Sequence, residues 1–328
     1  MDERIYLTFN YPGAVSGSQT LLTGIRGKES LLYISGFYES PDSPTVAFVY
    51  RGDITGKTGP CSKNSWNVLG YPSRPGVTVT GTNLYGPDVL KHCNIRTVGN
   101  YFTEETGDQA FGCMYQGSLD GRGKWLTLTP PDSFNTVAHS TQGDLVVGNY
   151  DAGPGTISRA FIYDIVDRTY QEIIKPQASI ISAYGIWHNC GSHYTICGGY
   201  SDSDIISGLS TAYLVDYNRA THEFTNWRSY HYMNDDKTTI ITHFNGITSD
   251  GCDGYNLAGD FVQLTESGAF FAHVGRHKNG SFSRATWSQV SYPDSTATSG
   301  NSVYQNMVIG VYNISPSTTI NGYISTVV

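Results

Sequence analysis

Six times along this chain a short apolar run leads into glycine, one further residue and an aromatic ring. The copies are Ile34-Ser35-Gly36-Phe37-Tyr38, Thr97-Val98-Gly99-Asn100-Tyr101, Val146-Val147-Gly148-Asn149-Tyr150, Ile196-Cys197-Gly198-Gly199-Tyr200, Leu257-Ala258-Gly259-Asp260-Phe261 and Val308-Ile309-Gly310-Val311-Tyr312, spaced 49 to 63 residues apart. A period of this length marks an architecture of stacked units, none of which can bury its apolar face alone.

Three further signals travel with the phrase. A strand of small residues precedes it, as in Thr23-Gly24-Ile25 and Asn245-Gly246-Ile247. A small residue and an aromatic follow it, as in Ala47-Phe48 and Ala160-Phe161. An aromatic then opens a last run that closes on proline six residues later, from Trp66 to Pro72, Trp125 to Pro131, Tyr170 to Pro176 and Trp287 to Pro293. Proline cannot donate to a sheet ladder, so each run ends there. Four short strands per repeat, separated by Gly, Asp, Asn, Ser and Pro clusters, predict the blades of a propeller. The expected fold is therefore all-β: a six-bladed β-propeller with four antiparallel strands per blade, forming a single domain over 1–328. The expected blades are 19–73, 76–133, 134–179, 180–237, 238–296, and 297–328 plus 4–12. The last repeat has only three strands, and Tyr6 to Pro12 carries the missing aromatic-to-proline spacing. The N-terminal strand is thus expected to join the C-terminal blade and close the ring, which removes two free edges.

Composition bounds the partners. With 15% charged residues, 37 glycines and 24 tyrosines, the chain is poor in helix formers and rich in strand and turn residues. A net charge of −8 without a basic cluster argues against nucleic acid. The start, Met1-Asp2-Glu3-Arg4, is polar, and no apolar run is long enough to span a bilayer. A monomer free of membrane and cytoplasmic is expected, secreted only if a leader preceded it. The six cysteines, Cys61, Cys93, Cys113, Cys190, Cys197 and Cys252, form no C-x-x-C pair and are expected to be free thiols, with Cys113 and Cys197 buried in strands.

Gly185-Ile186, Val147-Gly148-Asn149-Tyr150 and Ala160-Phe161 resemble a bacterial repeat named for a His-Ala-Phe triplet. The triplet's histidine is missing here, its place being taken by Val46, Gln109, Arg159, Thr211, Gly268 and Asn321. The resemblance implies a β-propeller and no particular activity.

Chemistry is sparser. The loops between second and third strands are acidic, with Glu39, Asp42, Glu104, Glu105, Asp108, Asp151, Asp202 and Asp204. Turn chemistry alone explains such residues. A carboxylate ring could hold Ca²⁺, but no EF-hand-like spacing supports it, and neither a cofactor nor a metal site is expected. Three histidines stand near the predicted axis: His243 at the start of a first strand, His139 where glycine is usual, and His188 beside Trp187. A group of near-neutral pKa in a channel can act as general acid or base; the plainer alternative is a histidine hydrogen-bonded between blades. Aromatics at the axis either pack the blades or offer a stacking surface with polar handles. The chain lacks G-x-S-x-G, Walker and dinucleotide motifs.

A multivalent lectin would repeat its pocket residues in every blade, whereas here only scaffold positions repeat. The sequence thus predicts one asymmetric small-molecule site on the axis. His243 and His139 are the expected catalytic residues, and Tyr184, Asn245, Tyr304, His188 and Trp187 the expected ligand-binding residues. The expected activity is acid–base chemistry of lyase, isomerase (cyclase) or hydrolase type. The alternative is a lectin-like carbohydrate-binding or protein-interaction propeller without catalysis.

Overall fold

A computed structural model describes residues 4–327 apart from 14–16, 29, 42, 56–64, 154–156, 203–209 and 234–238. Asp42, Cys61 and Asp204 of the sequence reading lie outside the described residues. The described chain contains strands and turns but no helix, hence none long and apolar enough to cross a membrane.

The strands, in chain order, begin with β1 (Ile5–Thr8), β2 (Gln19–Lys28), β3 (Leu31–Ser40), β4 (Ser43–Gly52) and β5 (Trp66–Val68). Then come β6 (Val79–Val89), β7 (Asn94–Thr103), β8 (Gly107–Ser118) and β9 (Lys124–Leu128), followed by β10 (Asn135–Gln142), β11 (Leu145–Asp151), β12 (Arg159–Asp164) and β13 (Thr169–Ile173). The next four are β14 (Ile180–Cys190), β15 (His193–Ser201), β16 (Thr211–Asn218) and β17 (Glu223–Tyr230). The last are β18 (Thr239–Ser249), β19 (Gly254–Gln263), β20 (Ser267–Arg276), β21 (Phe282–Val290), β22 (Ala297–Tyr304), β23 (Met307–Asn313) and β24 (Asn321–Thr326).

These strands form five sheets, not the six separate blades expected. Four are self-contained four-stranded blades: β10–β13, β14–β17, β18–β21, and β22-β23-β24-β1. The eight strands β2 to β9 belong to one continuous sheet. The reason lies at the edge of β4. The short β5 covers only Phe48 to Tyr50 of that edge, and Thr45 makes a parallel bridge to Gly81 of β6. A side chain at Gly81 would stand 3.2 Å from the Thr45 Cβ, so glycine permits the approach. Repeat spacing carries no information about such a bridge between neighbouring units. The terminal closure is as expected: Ile5, Tyr6, Leu7 and Thr8 pair antiparallel with Thr326, Ser325, Ile324 and Tyr323. Phe9 N–H then donates to Gly322 O at 2.8 Å.

The repeated signals have physical causes. The aromatic of the phrase stacks on a tyrosine that follows the fourth strand: Tyr38 on Tyr11, Tyr101 on Tyr71, Phe261 on Tyr232 and Tyr312 on Tyr292, with centroids 4.6, 3.8, 3.9 and 3.5 Å apart. Such pairs contribute about 0.5–1.5 kcal/mol each beyond the area they bury. At Tyr200 the partner is Lys175, whose Nζ lies 3.9 Å from the ring centroid. The amides of Tyr11, Tyr71, Tyr232 and Tyr292 donate to Thr20, Thr82, Thr242 and Thr298 near the start of a first strand. Each fourth strand is thereby tied to the next repeat. Large buried rings such as Phe48, Phe161, Phe244 and Phe270 fill the space between sheets.

The cysteine expectation needs a correction. Cys113 and Cys197 are free and buried, and Cys190 and Cys252 are free and exposed. Cys93, however, is disulfide-bonded, so the chain does not carry six thiols.

Candidate functional site

The first strand of every repeat is interrupted by a β-bulge. Register shifts fall between Leu22 and Gly24, Leu84 and Pro87, Ala138 and Ser140, Ala183 and Gly185, Phe244 and Gly246, and Gly300 and Ser302. The extra residues include Thr23, Tyr85, His139, Tyr184, Asn245 and Asn301. A bulged residue leaves the ladder and its side chain is re-aimed. All six of these side chains, with Leu21 and Phe37, line one cavity of about 240 Å³.

The bulges also explain the invariant glycine of the repeat. A Cβ on Gly36, Gly99, Gly148, Gly198, Gly259 or Gly310 would lie between 1.8 and 2.3 Å from the carbonyl oxygen of Leu21, Asn83, Val137, Ser182, His243 or Ser299. Each of those oxygens belongs to the residue two before the bulge, where the bent strand presses on its neighbour. The residue after that glycine can cap the strand that the bend disturbs. Asn149 Oδ1 accepts from Ala183 N at 2.8 Å, and Asp260 Oδ1 accepts from Gly300 N at 2.8 Å.

The ring divides into two arcs. Thr23 Oγ1 donates to Leu84 O at 2.5 Å, Asn245 Nδ2 to Gly300 O at 3.0 Å, and Asn301 Nδ2 to Leu22 O at 2.7 Å. These polar residues stitch successive first strands around the axis. The other arc is aromatic. The His139 ring stands edge-on to Tyr85 at 4.9 Å and to Tyr184 at 4.7 Å. Burial pushes the Tyr85 hydroxyl up to about 12, reinforced by nearby Tyr184, and raises Tyr184 as well. Burial also drives the His139 imidazole down to about 3. Packing between the Tyr85 and Tyr184 rings disfavours the charged imidazolium of His139, so desolvation lowers its pKa. The lining is therefore uncharged at neutral pH. His139 does not match the expectation of a near-neutral proton carrier; it is a neutral imidazole with no hydrogen-bond partner among the described residues.

His243 sits at the rim, not in the lining. Its ring lies 5.8 Å from that of Tyr184, and its Nε2 is 3.4 Å from Asp260 Oδ2. Its buried Nδ1 has no partner among the described residues. Asn245 Nδ2 and Ser299 Oγ also donate to Asp260 Oδ2, at 2.9 and 3.0 Å.

Three expected ligand-binding residues lie elsewhere. Tyr304 follows the Asn301 bulge by three residues, roughly 10 Å farther along a strand. Its ring packs over Gly27, where a Cβ would fall 2.1 Å from it, within a cluster containing Ile25 and Ile309. His188 stacks on Tyr194 at 4.5 Å, and its Nε2 lies 2.8 Å from Gly191 O, which holds a turn. Trp187 lines a different cavity. Sequence reasoning missed Thr23, Leu21, Phe37 and Asp260. A polar residue after the repeat glycine, as in Asn149 and Asp260, was the signal available for the last.

Two of the acidic loop residues accept from backbone amides, Glu105 Oε1 from Thr78 N at 2.9 Å and Asp151 Oδ1 from Asn135 N at 3.3 Å, and Asp202 lies 3.7 Å from Lys175 Nζ. No group of three or more His, Cys, Asp or Glu suited to a metal ion occurs among the described residues.

No protein-family model matches the chain, and no curated protein matches it. Solved structures do. A luciferin-regenerating enzyme superposes with a TM-score of 0.54 at 11% identity, covering 99% of this chain and 96% of that one. The α-L-arabinofuranosidase Arb93A from Fusarium graminearum, in complex with an iminosugar inhibitor, gives 0.50 at 10% identity, covering 98% and 97%. At such identity the likeness establishes a β-propeller and nothing of its chemistry.

Proposed function

We propose that the axial cavity binds one uncharged, flat small molecule per chain, and that the rim pair His243–Asp260 acts on it by proton transfer, as in a lyase, isomerase or hydrolase. The observation that carries the reading is the aromatic arc. Tyr85, His139 and Tyr184 come from successive repeats and present an imidazole between two phenol rings, with no hydrogen-bond partner among the described residues. His139 is partly exposed to the cavity, so its ring nitrogens are open to a ligand that hydrogen-bonds them while stacking between the tyrosines. A neutral lining disfavours an ionised ligand, because a charge leaving water there would find no counter-charge.

His243 supports the catalytic part. Asp260 Oδ2 lies 3.4 Å from one imidazole nitrogen, within reach of orienting the ring when the contact tightens around a ligand, and the cavity residue Asn245 shares that carboxylate. Both solved structures named above are enzymes, which is compatible with this reading and adds no detail to it. Glycoside hydrolysis by two carboxylates is unsupported, since that chemistry needs a carboxyl pair flanking the bond and none of the eight lining residues has one. The second reading, binding without catalysis, is favoured by that same uncharged lining.

Ligand-observed NMR with a library of uncharged heterocycles, run on wild type and His139→Ala, tests the binding. Hits of one-to-one stoichiometry that His139→Ala abolishes are expected. Hits that bind the variant undiminished would place the site elsewhere. His243→Ala then separates the two readings: it keeps binding and loses turnover of a hit if the protein is an enzyme.

A further inference from the structure

A larger cavity, about 520 Å³, opens at the opposite end of the first strands, between the β14–β17 and β18–β21 blades. We propose that it is a second binding site, built for a neutral sugar ring and separate from the axial cavity.

The repeat breaks at this cleft. Third and fourth strands pair without interruption in β4–β5, β8–β9, β12–β13 and β24–β1. They break in the two blades flanking this cleft, between Leu214 and Asp216 and between Val274 and Arg276. β14 carries a second bulge at Asn189, beyond the axial one at Tyr184. Asn226, opposite the break in β16, takes a φ of 54°, uncommon for any residue but glycine. Asn189, Asp216, Asn226 and Arg276 all line the same cleft. Bulges recur where a side chain must be re-aimed, and here each departure delivers a polar side chain to one place.

The groups delivered there are matched in charge and rich in planar polar atoms. Arg276 Nη1 donates to Asp216 Oδ2 at 2.9 Å, its Nη2 pairs with Asp216 Oδ1, and Asn226 Nδ2 donates to Asp216 Oδ2 at 2.8 Å. Both Asp216 oxygens are thus engaged and its charge is matched, which leaves a poor cation site; Asp253 in the lining opposes an anion. Capacity remains on the exposed Asp253, a carboxylate with four lone-pair sites, and on Asn226, whose Oδ1 and second N–H are free of the bond to Asp216. Asn189 keeps one N–H and one lone pair, its Nδ2 donating to Thr195 Oγ1 at 3.0 Å and its Oδ1 accepting from Tyr255 at 2.7 Å. These planar groups suit vicinal hydroxyls. Trp187 adds an apolar wall, backed by the buried Arg26 guanidinium 5.7 Å from the indole centroid. A sugar ring has that combination, a C–H face for the indole and an equator of hydroxyls for the amides.

The test titrates the full chain with neutral hexoses, N-acetylhexosamines and their trisaccharides, read by tryptophan fluorescence and saturation-transfer NMR. At least one sugar should bind saturably. Trp187→Phe should remove the fluorescence change, and Asn226→Gly, which deletes the amide but keeps the backbone unstrained, should weaken binding by about tenfold or more. His139→Ala should leave sugar binding intact, which keeps this site distinct from the axial one. The proposal is overturned if no sugar saturates the protein, if Asn226→Gly and Asp253→Ala both bind as wild type does, or if His139→Ala alone abolishes binding.

Discussion

Nε2 of His243 lies 3.4 Å from Oδ2 of Asp260, while the other oxygen of that carboxylate holds the amide of Gly300 at 2.8 Å. One side chain therefore serves the rim histidine and the bulged first strand of the next blade. The two partners should respond differently to truncation. Asp260→Ala leaves the Gly300 N–H, Asn245 and Ser299 short of an acceptor, and an unsatisfied buried donor costs about 1–3 kcal/mol. His243→Ala removes a partly buried ring with two loose contacts, to Asp260 at 3.4 Å and to the Tyr184 ring at 5.8 Å, and leaves no backbone donor unsatisfied. At roughly 2–4 °C per kcal/mol for domains of 150–250 residues, Asp260→Ala should lower Tm by several degrees and His243→Ala by less than half as much. Equal losses in calorimetry would mean that His243 is as structural as its partner.

His139 gives a pH signature. Its folded-state pKa is held down at about 3 by burial, against about 6.5 for an unfolded histidine. Between those values the unfolded chain binds a proton that the folded chain does not, so stability must fall as pH falls. The contribution is complete above about pH 6.5 and is lost progressively toward pH 3, with a limiting slope of about 1.4 kcal/mol per pH unit. Urea unfolding of wild type and His139→Asn between pH 7 and pH 4 should show a shallower decline in the variant. Parallel curves would mean that the imidazole protonates freely in the folded protein.

Much of this arrangement is legible in the sequence, for physical reasons that also mark the limit. Glycine before an aromatic repeats because the first-strand bulge forces the same backbone approach in each unit, so Gly36 through Gly310 announce the units. The N-terminal strand could be assigned because Tyr6 to Pro12 keeps the aromatic-to-proline spacing of the other fourth strands, and the structure shows Tyr11, just before that proline, in the stacking position that Tyr71, Tyr232 and Tyr292 fill elsewhere. The bulges leave no local mark. His139, Tyr184 and Asn245 could be placed near the axis, and the small-residue strand aligns Thr23 with Asn245, yet nothing in the sequence indicates that these residues leave the ladder to line one cavity, or that Asn301 rather than Tyr304 is their counterpart in the last unit. Tyr304 and His188 were displaced by a few residues of strand, which is enough to carry a side chain from one end of the channel toward the other. The bridge from Thr45 to Gly81, and with it the fused eight-stranded sheet, depends on the path of β5 and has no sequence signature.

The thiols can be counted. Burial raises the Cys113 and Cys197 thiols and keeps them unreactive, whereas Cys190 and Cys252 are exposed. With Cys93 bonded, Ellman titration should find four thiols in denaturant without reductant, and two in the folded protein. Six in denaturant would restore the original expectation of free cysteines. Because disulfides persist in oxidising compartments, a count of four also weighs against the cytoplasmic expectation.

Ring closure is tested by removing residues 1–12. The segment pairs with β24 along four residues and continues through Phe9 to Gly322. Asn10 then bridges the strand end, donating to Asn321 Oδ1 and accepting from Gly322 N, both at 2.8 Å. Its rings are equally engaged: Tyr11 stacks on Tyr38 at 4.6 Å, and Phe9 meets Tyr50 edge-on at 4.8 Å. Deletion exposes the edge of β24, strands the Tyr38 ring and opens the cluster around Ile309 and Ile324. Removing one buried aromatic side chain alone costs about 3–5 kcal/mol, a large share of the roughly 5–15 kcal/mol that holds a typical protein folded. The truncated chain should unfold at much lower urea concentration and self-associate through the freed edge. Adding residues 1–12 back as a peptide should restore part of the lost stability. A truncated protein that melts with the full chain would show that the ring does not depend on this strand.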